Sequence, residues 1–207
     1  MNSDVLFKPF NHPKLQLPNR IIMAPMTRQF SPNGIPDTNV EEYYRKRAEG
    51  GVGLIITEGT TVNHRAASSG VQIPCFHGEA LEGWEKVVKA VHAAGGKIAP
   101  QLWHAGSIRK PGEGPYPNYP SATPSGLLGP DKKVLEPLST TEIDELVAAY
   151  AQAAAMDNIK VIGVDCHIGS QLTSIEPYLD AMDRLFVLID TIAAQGIIVE
   201  HLDLGGG

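Results

Sequence analysis

An α/β fold, a (β/α) TIM-type barrel, is what this sequence predicts. Short continuous apolar runs alternate with longer amphipathic stretches, and chemistry-bearing residues stand directly after the apolar runs, where such a barrel carries its site. Extent comes from length: five strands alternating with four helices fit into 207 residues, whereas a closed eight-stranded barrel takes about 250. The expectation is an incomplete barrel, with about five of the eight strands, preceded by an N-terminal β-hairpin.

In chain order, residues 6–10 and 14–17 are strand-like pieces separated by Asn11, His12 and Pro13, which is hairpin chemistry. Residues 20–26 form the first buried strand, and after the Ser31-Pro32-Asn33-Gly34 turn residues 40–49 have helical spacing. Residues 53–57 read as a strand covered on both faces, and residues 78–94 as an amphipathic helix stopped by Gly95-Gly96. Residues 97–103 are the third strand. The Pro-, Gly- and Tyr-rich stretch 106–137 exceeds ordinary connection lengths and is expected to act as a lid. Ser139-x-x-Glu142 opens a helix to about Ala155, and residues 161–166 form the fourth strand. Thr173-x-x-Glu176 is expected to cap another helix with Leu179, Met182, Phe186 and Ile189 on its apolar face, before a fifth strand at 201–204.

Composition narrows the function class. With 43% hydrophobic and 19% charged residues the chain is an ordinary globular one. A formal charge of −6 and scattered basic residues argue against nucleic acid, and no apolar stretch reaches the ~18 residues of a membrane span. Cys75 and Cys166 have no metal-ligand spacing, so no metal is expected, and the absence of a disulfide framework and of a leader-like N-terminus points to the cytoplasm.

The strand ends supply the candidates Pro25-Met26-Thr27, Glu58-Gly59-Thr60, residues 101–104 and residues 167–170. Gln101 offers a donor and an acceptor, and Gly59 allows close backbone approach, which suits a flat heteroaromatic ligand. Tyr43 and Tyr44 on a helix read as packing, and His104 beside Trp103 as a hydrogen-bonded structural ring.

Over residues 6–155 the chain resembles the Old Yellow Enzyme family of FMN-dependent, NAD(P)H-linked ene reductases. The resemblance rests on Met23-Ala24-Pro25-Met26-Thr27-Arg28, on Gly50-Gly51-Val52-Gly53-Leu54-Ile55-Ile56-Thr57-Glu58-Gly59-Thr60 and on Gln101-Leu102-Trp103-His104-Ala105-Gly106. It implies that Pro25, Met26 and Thr27 line FMN, with Thr27 tuning its reduction, that Gly59 and Thr60 flank it, and that Gln101 bonds its pyrimidine edge. It also implies an activated alkene as the small-molecule substrate. At strand four His167 matches the family's substrate-binding histidine and Ser170 its second polar position, while Leu172 replaces the proton-donating tyrosine. Thr27 and His167 are thus the catalytic candidates.

Residues 158–207 instead resemble diaminopimelate decarboxylase, a pyridoxal phosphate enzyme, through Gly163-Val164-Asp165-Cys166-His167-Ile168-Gly169-Ser170-Gln171 and His201-Leu202-Asp203-Leu204-Gly205-Gly206-Gly207. That resemblance implies an alternative in which Ser170, Gly205, Gly206 and Gly207 bind phosphate. The Schiff-base lysine of that family lies outside the matched stretch, which disfavours covalent chemistry. The expected organisation is a chimera: 1–155 from a flavin-oxidoreductase barrel and 156–207 as a β/α/β segment of the decarboxylase kind. The expected function is FMN-dependent hydride transfer, impaired by truncation and fusion. An inactive or engineered chimeric barrel is the main alternative, and a pyridoxal phosphate decarboxylase fragment the lesser one. Open strand edges favour self-association.

Overall fold

The computed structural model describes residues 3–13, 15–127, 132–166, 173–194 and 196–204. The chain divides into two compact units, Met1–Ala153 and Ala154–Gly207.

The first unit begins with a 3-10 turn at Ser3–Phe7, where a strand is expected, and the hairpin is displaced toward the turn. Strand β1 (Phe10–His12) pairs antiparallel with β2 (Leu15–Leu17), so Asn11 and His12 belong to the ladder rather than to the connection. The first buried strand, β3, is only Ile22–Met23. Pro25 brings no N–H to a ladder and restrains Ala24 before it, which ends regular pairing early.

Helix α1 (Thr38–Glu49) starts where Asp37 accepts hydrogen bonds from the backbone N–H of Asn39 (2.9 Å) and Val40 (3.3 Å). Such a cap satisfies donors that the first turn cannot satisfy itself, about 1 kcal/mol. Strand β4 (Leu54–Thr61) follows and runs four residues further than the apolar pattern suggests. Helix α2 (Ala80–Ala93) buries Trp84, Val87 and Val91. It lies close to α1, because a Cβ at Gly83 would stand 2.4 Å from the Pro36 carbonyl oxygen, so only glycine fits there. Strand β5 is Ile98–Trp103.

Strands β3, β4 and β5 form one parallel sheet in that order, with α1 and α2 as the intervening helices. This is the β/α repeat that the alternating pattern predicts. Val40, Tyr44, Ile55, Val87 and Val91 are fully buried in the unit. Burying each aliphatic side chain contributes roughly 1.5–3 kcal/mol. Helix α3 (Thr140–Ala154) carries the capping box foreseen at its start: Ser139 Oγ accepts from Glu142 N–H (3.3 Å), and Glu142 accepts from Ser139 N–H (2.8 Å).

In the second unit, β6 (Gly163–Asp165) and β7 (His201–Asp203) pair in parallel, joined through α4 (Glu176–Ala193). Thr173 does not cap α4. Ile175 occupies the cap position in helical conformation and its side chain makes no capping bond. The apolar face also differs from the expected one: Leu185 is the buried residue of α4, while Leu179 and Phe186 are exposed.

Candidate functional site

The three strand ends that carry the first motifs lie side by side, because β4 sits between β3 and β5. Pro25 is half-buried after β3, while Met26 (51% exposed) and Thr27 are open to solvent. Gly59 and Thr60 are buried on β4, and Gln101 is half-buried on β5 directly opposite Gly59.

A slip in register joins these positions. Between Ile56 and Gly59 β4 gains one residue on β5, since the next pairs are Ile56 with Ala99 and Gly59 with Gln101. Such a bulge leaves backbone groups unpaired and re-aims side chains. The Thr57 hydroxyl bridges the gap: it accepts from Gln101 N–H (3.2 Å) and donates to the Glu58 carbonyl (2.8 Å). Thr60 Oγ1 donates to the Gln101 carbonyl (3.0 Å). Gly59 is packed closely by Trp103, because a Cβ there would come within 3.1–3.2 Å of that side chain. Gly59 and Thr60 therefore hold β5 against β4 at the bulge.

Glu58 is the residue whose role pattern reading does not reveal. Its carboxylate is fully buried and accepts from the backbone N–H of Arg28 (2.9 Å) and Gln29 (3.4 Å), and from Arg28 Nε (3.2 Å). Its own N–H donates to the Tyr44 hydroxyl (2.9 Å). Burial, with the Glu58 charge adding to it, pushes the Tyr44 hydroxyl up to about 12, so it remains protonated. The Arg28 guanidinium stands 3.6 Å from the Tyr43 ring centroid, and Arg47 stands 3.4 Å from the same centroid. Arg28 Nη2 is buried without a hydrogen-bond partner among the described residues. One signal was present in the sequence: a carboxylate inside an otherwise uncharged buried strand must be paired.

The long connection after β5 is anchored rather than open over its described part. Arg109 is 2% exposed and donates to four backbone carbonyls: Ser68 (3.1 Å), Tyr119 (2.8 Å), Glu113 (2.8 Å) and Tyr116 (2.6 Å). Nearby, His104 Nε2 and His64 Nδ1 are 3.1 Å apart. Gly106 N–H donates to His104 Nδ1 (3.0 Å) and Ala66 N–H to His64 Nδ1 (3.3 Å), so both Nδ1 atoms accept and His104 Nε2 carries the shared proton.

Residues 5–171 match the NADH:flavin oxidoreductase / NADH oxidase family. The chain belongs to this family. A 12-oxophytodienoate reductase 7 from Oryza sativa is 33% identical over 185 residues, covering 80% of this chain and 46% of its own length. A solved morphinone reductase in complex with tetrahydroNAD superposes with a TM-score of 0.65 at 34% identity, over 77% of this chain and 48% of that one. The structural likeness supports an α/β barrel fold. The chain spans about half the length of these flavin-oxidoreductase relatives.

The C-terminal third also matches a second family. Residues 140–207 match the pyridoxal-binding domain of pyridoxal-dependent decarboxylases. A diaminopimelate decarboxylase from Pseudomonas aeruginosa is 63% identical over 65 residues, 31% of this chain and 16% of that protein. The two family matches overlap at residues 140–171, and the chain is a chimera of the two. His167, Ser170, Gly205, Gly206 and Gly207 lie outside the described residues. Among the described residues no cluster of His, Cys, Asp or Glu could hold a metal ion, and no helix is long and apolar enough to cross a membrane.

Proposed function

We propose that this chain carries part of an FMN-dependent oxidoreductase site that takes an NAD(P)H-linked hydride to an activated alkene. The observation that carries the reading is an apolar side chain left open between polar ones: Met26 is 51% exposed next to exposed Thr27, while half-buried Gln101 stands two strands away on the same sheet. A planar ring system with polar edges is the ligand such a surface fits. When bound, the flavin supplies the hydride chemistry and the protein supplies positioning and electrostatics. Pro25 and Met26 would line the flavin, Thr27 would tune its reduction and Gln101 would bond its pyrimidine edge. Gly59 and Thr60 act one step back, by keeping Gln101 in register with β4. His167 holds the substrate carbonyl.

The chain carries part of a barrel, with residues 1–155 from the flavin enzyme and 156–207 from the decarboxylase. Support comes from the half-length coverage of its flavin-oxidoreductase relatives. The outer strands β3 and β5 of the three-stranded sheet are the edges through which copies would associate. A reducing cytoplasm suits the two free thiols, Cys75 and Cys166.

The decarboxylase-like segment favours a second reading, pyridoxal phosphate held by Ser170 and Gly205 to Gly207. The visible spectrum of the purified protein, taken after incubation with either cofactor and gel filtration, separates the two. A retained flavin spectrum supports the first reading, a pyridoxal band the second, and no band overturns both. Gln101→Ala is expected to weaken FMN retention about tenfold, the value of one good hydrogen bond in a shielded site; unchanged retention rejects the site.

A further inference from the structure

We infer that Glu58 is a positioning residue that fixes Thr27 at the flavin edge, an assignment that rests on the flavin reading above. Thr27 is exposed. The two residues after it are held by one buried carboxylate, through the N–H of Arg28 (2.9 Å) and of Gln29 (3.4 Å). Gln29 has a left-handed backbone, φ 59°. A non-glycine residue enters that region at a cost and stays only where its surroundings over-determine it. The surroundings here are Glu58 and the stacked Arg28.

Glu58 is itself held at both ends. Its N–H is tied to the Tyr44 hydroxyl (2.9 Å), and its carboxylate to Arg28 Nε (3.2 Å), whose guanidinium rests on Tyr43 (3.6 Å). A rigid path thus runs from helix α1 through β4 to the segment that ends β3. The neighbouring residue, Thr57, bonds the backbone of Gln101 (3.2 Å). Glu58 therefore sets Thr27, while the support of Gln101 falls to its neighbour Thr57, so the two flavin contacts are held by separate side chains of β4.

The test uses Glu58→Gln, which keeps the shape and removes the charge, and Glu58→Asp, which keeps the charge beside Arg28 but is one methylene too short for the amides. The second variant serves if the first does not fold. Each is made alone and with Thr27→Ala. Deuterium uptake of residues 25–30 is read in the cofactor-free protein, FMN affinity by fluorescence quenching, and the flavin reduction potential against a reference dye.

The expected result is faster exchange in residues 25–30, FMN affinity lowered about tenfold and a shifted potential. Both flavin effects should disappear when Thr27 is already alanine. An equal loss in the Thr27→Ala background would overturn the inference, since Glu58 would then act on the fold at large. Unchanged exchange overturns it too. If the wild-type chain does not take up FMN, the flavin reading fails and the Thr27 assignment with it, while the exchange data still decide whether Glu58 holds the segment.

Discussion

His64 and His104 are kept neutral by their surroundings. Burial, the neighbouring His64 and Arg109 push His104 down to about 4, and burial lowers His64 against an opposing pull from Glu145. In the unfolded chain an imidazole takes up its proton near pH 6.5. Between about 6.5 and about 4 the unfolded chain thus binds more protons than the folded one, and stability falls as the pH drops through that window. The effect from His104 is on the order of 3 kcal/mol. Urea midpoints measured at pH 7 and pH 4.5 should fall further for the wild type than for His104→Asn. Parallel curves would show that His104 is not the group responsible. Asp37 makes a simpler case: Asp37→Ala removes two bonds to the first turn of α1 and should cost about 1 kcal/mol in the same assay.

At the scale of elements, the connection after β5 depends on a single side chain. The guanidinium of Arg109 is buried with four carbonyls and no carboxylate among its described partners, so it works as a hydrogen-bonding hub for residues 110–121. Ser121 Oγ closes the loop by donating to the Arg109 carbonyl (2.5 Å). Arg109→Met keeps the bulk and leaves those four carbonyls without their donor, a loss of about 3 kcal/mol. A glutamate-specific protease should then cut after Glu113 well before it cuts the wild-type protein there, and equal cleavage rates would contradict the hub. The expected lid is therefore, over its described part, a pinned loop. Helix starts behaved differently. The Ser139 capping box was readable because its partners are three residues apart, whereas Thr173 matches the same pattern and caps nothing, since Ile175 is already helical.

For the molecule as a whole, the units differ in how much they bury. The first contains nearly all of the fully buried side chains, including Tyr44, Glu58, Val87 and Val91, while Leu185 is the buried hydrophobic residue described in the second. Local stability follows burial. Amide protons of β4, β5 and α2 should therefore exchange at least tenfold more slowly than those of β6, α4 and β7, and uniform protection along the chain would refute this. The fusion itself was legible from motifs, because each parent keeps its own short signature at its own strand ends: Gln101 to Gly106 for one, His201 to Gly207 for the other.

Sequence alone determined the repeat of strand and helix, the parent families and the order in which Thr27, Gly59 and Gln101 fall along the chain, since period, spacing and short motifs are local properties. Only the tertiary structure decided what those residues do for one another. The register slip on β4, the Trp103 ring packed tightly on Gly59, and the carboxylate of Glu58 reaching Arg28 and Gln29 all depend on groups far apart in sequence meeting at close range. No periodicity records which buried charge will find which backbone amide, because that pairing is set by how the strands stack and not by either strand on its own.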